Sequence, residues 1–207
     1  MPIELASLVD PAHTAVVTQE CQKAVLGEQA VFPQLADAAR ESMIPNAGRL
    51  VKAARAAGVN VVHCIAMRRA DGLGSSANAR IFGAARKSGV AMEPGSVGVE
   101  VIDEIGMQDT DLVSRRLHGV GPMWGTDLDA ILRNLGVRTI VAIGVSLNVG
   151  VTNLVLDGVN AGYQVVLPRD AVAGIPANYA NAMIDNTLSI LATVVETDDV
   201  IGAWNAG

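Results

Sequence analysis

Residues 137–170 read VRTIVAIGVSLNVGVTNLVLDGVNAGYQVVLPRD. Thr139 to Gly144 is a short unbroken apolar run rich in Ile and Val, the pattern of a strand buried on both faces. Gly144-Val145-Ser146 breaks it. From there Leu147, Val151, Leu154, Val155 and Gly158 fall at helical spacing, up to Ala161-Gly162, where Gly162 suits the left-handed cap. Tyr163 to Leu167 is a second apolar run, stopped by Pro168. Strand, turn, helix and strand within about 30 residues make a βαβ crossover, so the two strands are predicted to be parallel neighbours. Ligands of open parallel sheets bind at the strands' carboxyl ends, beside the N-termini of the following helices. The polar turn from Val145 to Gly150 is therefore the candidate site, although a purely structural turn has the same pattern.

Upstream, Thr14 to Gln19 (TAVVTQ) reads as the first buried strand, ending in the polar cluster Glu20-Cys21-Gln22. Residues 23 to 44 read as irregular or weakly helical, with Phe32-Pro33 as a break. Pro45-Asn46 starts a helix with Ala47, Leu50, Val51, Ala54 and Ala57 on one face. Asn60 to Ala66 is the second strand. Arg68 to Gly98 is a long polar connection with a short helix around Ala77 to Lys87, and connections of that length are usually functional. Asp111 to Arg115 is a third strand, and Leu117 to Gly125 a loop. Thr126 caps a helix carrying Leu128, Ile131, Leu132 and Leu135. Downstream, Pro176 opens a last helix running through Leu191, Val194 and Val195, with a short strand near Asp199 to Ile201. Alternating strands and helices predict a doubly wound, three-layer α/β fold with a mostly parallel sheet, as one domain over 1–207.

Composition narrows the function. The chain has 207 residues, half of them hydrophobic, enough for a full core. A net charge of −6 and six aromatic residues argue against a nucleic-acid surface. No apolar run reaches the roughly 18 residues of a membrane span. The opening MPIELASLVDPAHT lacks the charged end and apolar centre of a signal peptide, so a cytoplasmic location is expected. Cys21 and Cys64 form no metal-ligand cluster, and free cysteines are commonly buried small hydrophobes. Neither a metal nor a cofactor is expected. His63 reads as a packed or helix-facing histidine.

Glu20-Cys21-Gln22 after a strand, Gly-Thr-Asp-Leu-Asp at 125 to 129, Gly-Val-x-x-Asn-Val at 144 to 149, and Arg-Asp-Ala at 169 to 171 resemble the isochorismatase-like hydrolases. Order and spacing match over roughly residues 12 to 200. The resemblance implies a six-stranded parallel sheet between helices, in a homo-oligomer, dimer or tetramer. It also implies a site made of an acid after the first strand, a lysine after the third, and commonly a cysteine in the elbow helix's first turn. An unusual cis peptide, here near Val145-Ser146, often helps form the oxyanion hole of that family.

The chain departs from the pattern at each catalytic position. Glu20 stands where the family usually has Asp, and can do the same proton chemistry from a longer side chain. Counting forward from Asp111 puts Arg116 at the lysine position; counting back from Gly125 puts Leu117 there. Arginine barely exchanges protons near neutrality, so it stabilises an anion rather than shuttling a proton. His118 can supply a titratable group. The cysteine position is Gly150. Without a thiol there, no acyl-enzyme can form at that point.

The expected function is a hydrolase of a small, carboxylate-bearing molecule, working by acid/base chemistry. Glu20 would be the general acid/base and Arg116 or His118 the polarising group. Elbow amides near Ser146, Leu147, Asn148 and Gly150 would hold developing charge, with Trp124 as a pocket wall. Arg68, Arg69, Arg80, Arg86 and Lys87 would bind anions or form a solvated face. The alternatives are a catalytically silent small-molecule-binding relative, or an amidase with a relocated thiol, such as Cys64.

Overall fold

The computed structural model describes residues 4–206. Its strands are β1 (Thr14–Gln19), β2 (Asn60–Ala66), β3 (Leu112–Arg116), β4 (Thr139–Val145), β5 (Gln164–Pro168), β6 (Val172–Ala173) and β7 (Thr193–Val195). They form one sheet in the order β3-β2-β1-β4-β5-β7, with β6 beside β4, and every pairing between them is parallel. β4 and β5 pair directly, as the crossover pattern predicts. β1 and β4, the two central strands, are buried along their whole length, which is why both read as continuous apolar runs.

The helices are α1 (Leu5–Leu8), α2 (Lys23–Leu26), α3 (Pro33–Arg40), α4 (Met43–Ala56), α5 (Arg80–Lys87), α6 (Leu128–Asn134), α7 (Thr152–Asn160), α8 (Ala177–Asn186) and α9 (Thr197–Asn205). They make two apolar layers. Leu50 and Val51 of α4 pack with Val200 and Trp204 of α9 on the face that carries Val16. Leu128 and Leu132 of α6 pack with Leu154 and Val155 of α7 on the opposite face, which carries Ala15 and Val17. The alternation along β1 thus serves both cores. Full burial of a side chain such as Leu50 contributes about 1.5–3 kcal/mol.

Five assignments differ from the sequence reading. Pro33 opens α3 instead of breaking the chain, since a proline at the first helical position surrenders no hydrogen bond. For the same reason α4 starts two residues before Pro45, which lies in its first turn. The last predicted helix stops at Asn186. Thr193–Val195, a β-branched run, pairs with the free edge of β5, and 199–201 is helical, because Glu196 and Asp199 form a reciprocal capping box that starts α9. Trp204 Nε1–H then donates to Val9 O at 2.7 Å, tying α9 to the N-terminal segment. Among the described residues no helix is long and apolar enough to cross a membrane.

One buried polar chain braces the sheet outside the cleft. Thr18 Oγ1 lies 2.9 Å from His63 Nδ1, and His63 Nε2 lies 3.3 Å from Asp111 Oδ2. Asp111 in turn accepts from Arg55 Nε at 3.1 Å and from Gln108 N at 2.8 Å. Burial pushes the His63 imidazole below its ordinary value, against the opposing pull of Asp111. Burial would raise the Asp111 carboxyl, but Arg55, the Gln108 N–H and His63 outweigh it and hold it low. Both shifts act in the same direction. An imidazole that resists protonation when folded favours the unfolded chain once pH falls below its free value of about 6.5. Stability is therefore expected to fall from about pH 7 to pH 5, by at most about 1.4 kcal/mol per pH unit from this residue. Asp111 adds its loss only below about pH 4. Melting curves of wild type and His63→Gln across this range test the assignment; an unchanged slope in the variant would remove His63 as its source.

Candidate active site

β1, β2 and β4 end at one edge of the sheet: Gln19, the last residue of β1, is in register with Cys64 and Gly144, two residues and one residue before the ends of β2 and β4. β3 reaches the same edge through the pairing of Ala66 with Arg116. Glu20 follows β1 at φ 53° and is the one non-glycine residue with positive φ among those described. Its N–H donates to Cys64 O at 2.9 Å. Holding a side-chain-bearing residue there costs on the order of 1–2 kcal/mol. Residues kept in such conformations cluster at functional sites. Gln22 locks this turn: its Nε2 donates to Ala66 O at 2.9 Å and Gly98 O at 3.0 Å, and its Oε1 accepts from Ala66 N at 2.8 Å.

Arg116 closes β3 with its guanidinium on Glu20, Nη2 donating to the carboxylate Oε1. Its side chain is 4% exposed and that of Glu20 20%. Arg116 Nε points to Gly119 O at 3.4 Å, while Nη1 is buried without a partner. The carboxylate–guanidinium pair lies at a cleft of about 140 Å³. His118 and Ser146 line the same cleft. The exposed His118 ring sits over Gly125, where a β-carbon would come within 2.7 Å of its Cε1. Ser146 follows a cis Val145–Ser146 peptide, at the place where the family resemblance puts one. Its carbonyl accepts from Val149 N at 3.1 Å and Val151 N at 3.0 Å, as the chain passes through a single π-helical turn, Leu147–Val151, into α7.

The other sequence-chosen residues lie elsewhere. Leu147 is 1% exposed and packs in the second core, since the helical spacing that singled it out is that of the buried face. Asn148 Nδ2 donates to Ile175 O at 3.1 Å, away from the lining. Gly150 is buried and does not line the cleft. Trp124 is 58% exposed and does not line the cleft. Of the five cations in the long connection, only Arg68 and Arg86 reach the cleft. Arg68 is occupied, with Nη1 on Ala85 O at 2.8 Å and Nη2 on Val90 O at 2.7 Å, so it holds α5 in place.

Gln19 escaped the sequence reading. It is fully buried, and neither its Oε1 nor its Nε2 has a partner. A β-carbon on Gly150 would come within 2.7 Å of that Nε2. The Gln19 amide thus fills the space that a side chain at the elbow position would need. Alternation past Ala15 and Val17, towards the elbow helix, was the available signal. Gly150→Cys is accordingly expected to destabilise by about 1–3 kcal/mol through overpacking. Gln19→Ala should relieve most of that. Denaturant unfolding of both single variants and the double variant checks it, and simple additivity would contradict the contact.

The isochorismatase domain model matches residues 14–199. An uncharacterized isochorismatase family protein of Bacillus subtilis (strain 168) is 40% identical over 75 residues, 36% of this chain and 39% of that protein. The match therefore spans well under half of that relative. The ureidoacrylate amidohydrolase of Agrobacterium fabrum is 26% identical over an alignment covering 93% of this chain and 90% of that enzyme. Among solved structures, a cysteine hydrolase from Pseudomonas syringae pv. phaseolicola superposes with a TM-score of 0.82 at 25% identity, covering 96% of this chain and 95% of that one.

Proposed function

The chain belongs to the isochorismatase family, and from that premise we propose that it hydrolyses a small carboxylate-bearing molecule by acid/base chemistry, without a cysteine nucleophile. The observation that carries this reading is the Glu20–Arg116 pair, set at the strand ends and bordering the cleft. As a carboxylate within reach of the cleft, Glu20 accepts a proton from the attacking water and returns it to the leaving group. Arg116 orients Glu20 through Nη2 and keeps Nη1 for an oxygen of the substrate. The elbow backbone at Ser146, which lines the cleft, is the part of this turn that faces developing negative charge. His118, exposed at the cleft, supplies a hydrogen-bonding ring nitrogen there.

Burial weighs against a thiol mechanism. Cys21 and Cys64 are 2% and 1% exposed. Burial pushes both thiols up to about 12, so the nucleophilic thiolate is scarce at neutral pH. The test is a thermal-shift screen of small carboxylates and their amides and esters, followed by turnover assays on the hits, before and after iodoacetamide. Turnover that survives alkylation supports the proposal. Loss of turnover with one labelled cysteine would replace it with a thiol mechanism, and binding without any turnover would favour a silent relative.

A further inference from the structure

The 25 residues from Ala171 to Val195 carry one charge, Asp185, where the chain's average of 17% would give about four. That carboxylate is already paired, accepting from Arg169 Nη2 at 3.2 Å. α8 lies in this stretch and buries Ala180 and Ile184 in the core layer it shares with α6 and α7. Beside that buried stripe, Tyr179 and Met183 stand one turn apart, Tyr179 53% exposed and Met183 half-buried. Ile190, in the 3₁₀ turn Leu188–Ile190 that follows, is 79% exposed, more than any other large apolar side chain among the described residues. The remaining exposed polar groups include the carboxamides of Asn178 and Asn181.

One exposed apolar residue is ordinary, but an exposed strip that carries Tyr, Met and Ile and lacks free charge has the composition of an interface core. Its chemistry selects the occupant. A charged partner, whether nucleic acid or an acidic or basic protein segment, would find no unpaired charge here to match its own. Carboxamides both donate and accept, so a face carrying Asn178 and Asn181 is complementary to itself. With a net charge of −6, two copies of the chain repel each other through their charged surfaces, and this strip is where that repulsion is weakened. We infer that the outer flank of α8 and the turn after it, centred on Tyr179 and Ile190, is the docking surface for a second copy of this chain. The two copies are related by a two-fold axis, so that each presents the same strip to the other. None of these residues lines the cleft, and the inference stands apart from the acid/base reading.

Sedimentation velocity on the full chain at micromolar concentration tests this. Wild type is expected as a dimer or a larger assembly of even number. Ile190→Glu and Tyr179→Glu each set a carboxylate against its own copy and should weaken association at least about tenfold. Leu73→Glu adds the same charge at another exposed apolar residue, in the long connection, and should leave association unchanged. All three side chains are exposed, so the variants should fold, and melting curves check that. Ile190→Ser and Tyr179→Ser, which remove apolar contact without adding charge, give the same reading should a Glu variant unfold. A monomeric or odd-numbered wild type, full association in both strip variants, or equal weakening by Leu73→Glu would each overturn the inference.

Discussion

Glu20→Gln is expected to lower turnover by about 100-fold or more while substrate binding survives. The substitution keeps size and an oxygen that can still accept from Arg116 Nη2, and removes the group that exchanges a proton. A 100-fold loss is about 2.7 kcal/mol of transition-state stabilisation, which is within what a positioned acid/base supplies. Some folding stability should go with it, since a charge-assisted hydrogen bond becomes a neutral-acceptor one, at a cost of about 1–2 kcal/mol. The two effects separate experimentally. A structural loss appears in the melting temperature, and a chemical loss appears in kcat at saturating substrate on protein that remains folded. Glu20→Asp retains the carboxylate and the family's usual residue but retracts it from the cleft, so an intermediate kcat is expected. A Glu20→Gln enzyme that matches wild type would remove Glu20 from the mechanism.

The elbow unit was legible because its signals are local. An apolar run ending at a glycine turn, a helical spacing and Gly162 at the cap fix β4, β5 and the end of α7 to within a residue or two, while α7 itself starts at Thr152, after the π-helical turn. Glu20, Arg116, His118 and Ser146 could be placed together because each follows a strand of one parallel sheet, and strand ends converge whatever the loops do. What escaped depends on tertiary contacts. Thr193–Val195 has helical spacing in sequence and becomes β7 because β5 presents an unpaired edge. Leu147 and Asn148 sit in the candidate turn by sequence, but the π-helical turn sends Leu147 into the core and Asn148 to Ile175. Phe32 and Phe82 are 50 positions apart in the sequence and line one cleft, with α5, which carries Phe82, held by Arg68.

Arg116 is where the chain departs furthest from the family's lysine, and its removal should have the larger effect on the fold. Arg116→Met preserves much of the apolar stem and deletes the charge. Glu20 then keeps its position, fixed by its backbone bond to Cys64 and the Gln22 clamp, but without a cation. Breaking a fully buried pair this way costs about 3–5 kcal/mol. Glu20 is 20% exposed and can recover some hydration, so about 2–3 kcal/mol is expected here. For a chain of this size that is a fall of roughly 5–10 °C in melting temperature. Turnover should fall with it, because both the orientation of Glu20 and the free Nη1 are lost. Arg116→Lys restores the charge as a single point that cannot bridge Glu20, Gly119 O and a substrate oxygen in one plane, so it should recover stability more than activity. The decisive comparison is the double variant Glu20→Gln/Arg116→Met. With both charges gone, no ion is left uncompensated, and the double variant should be more stable than Arg116→Met alone. If the two losses simply add, the pair is not coupled, and Arg116 stabilises the β3 end through its stem and Gly119 rather than through Glu20.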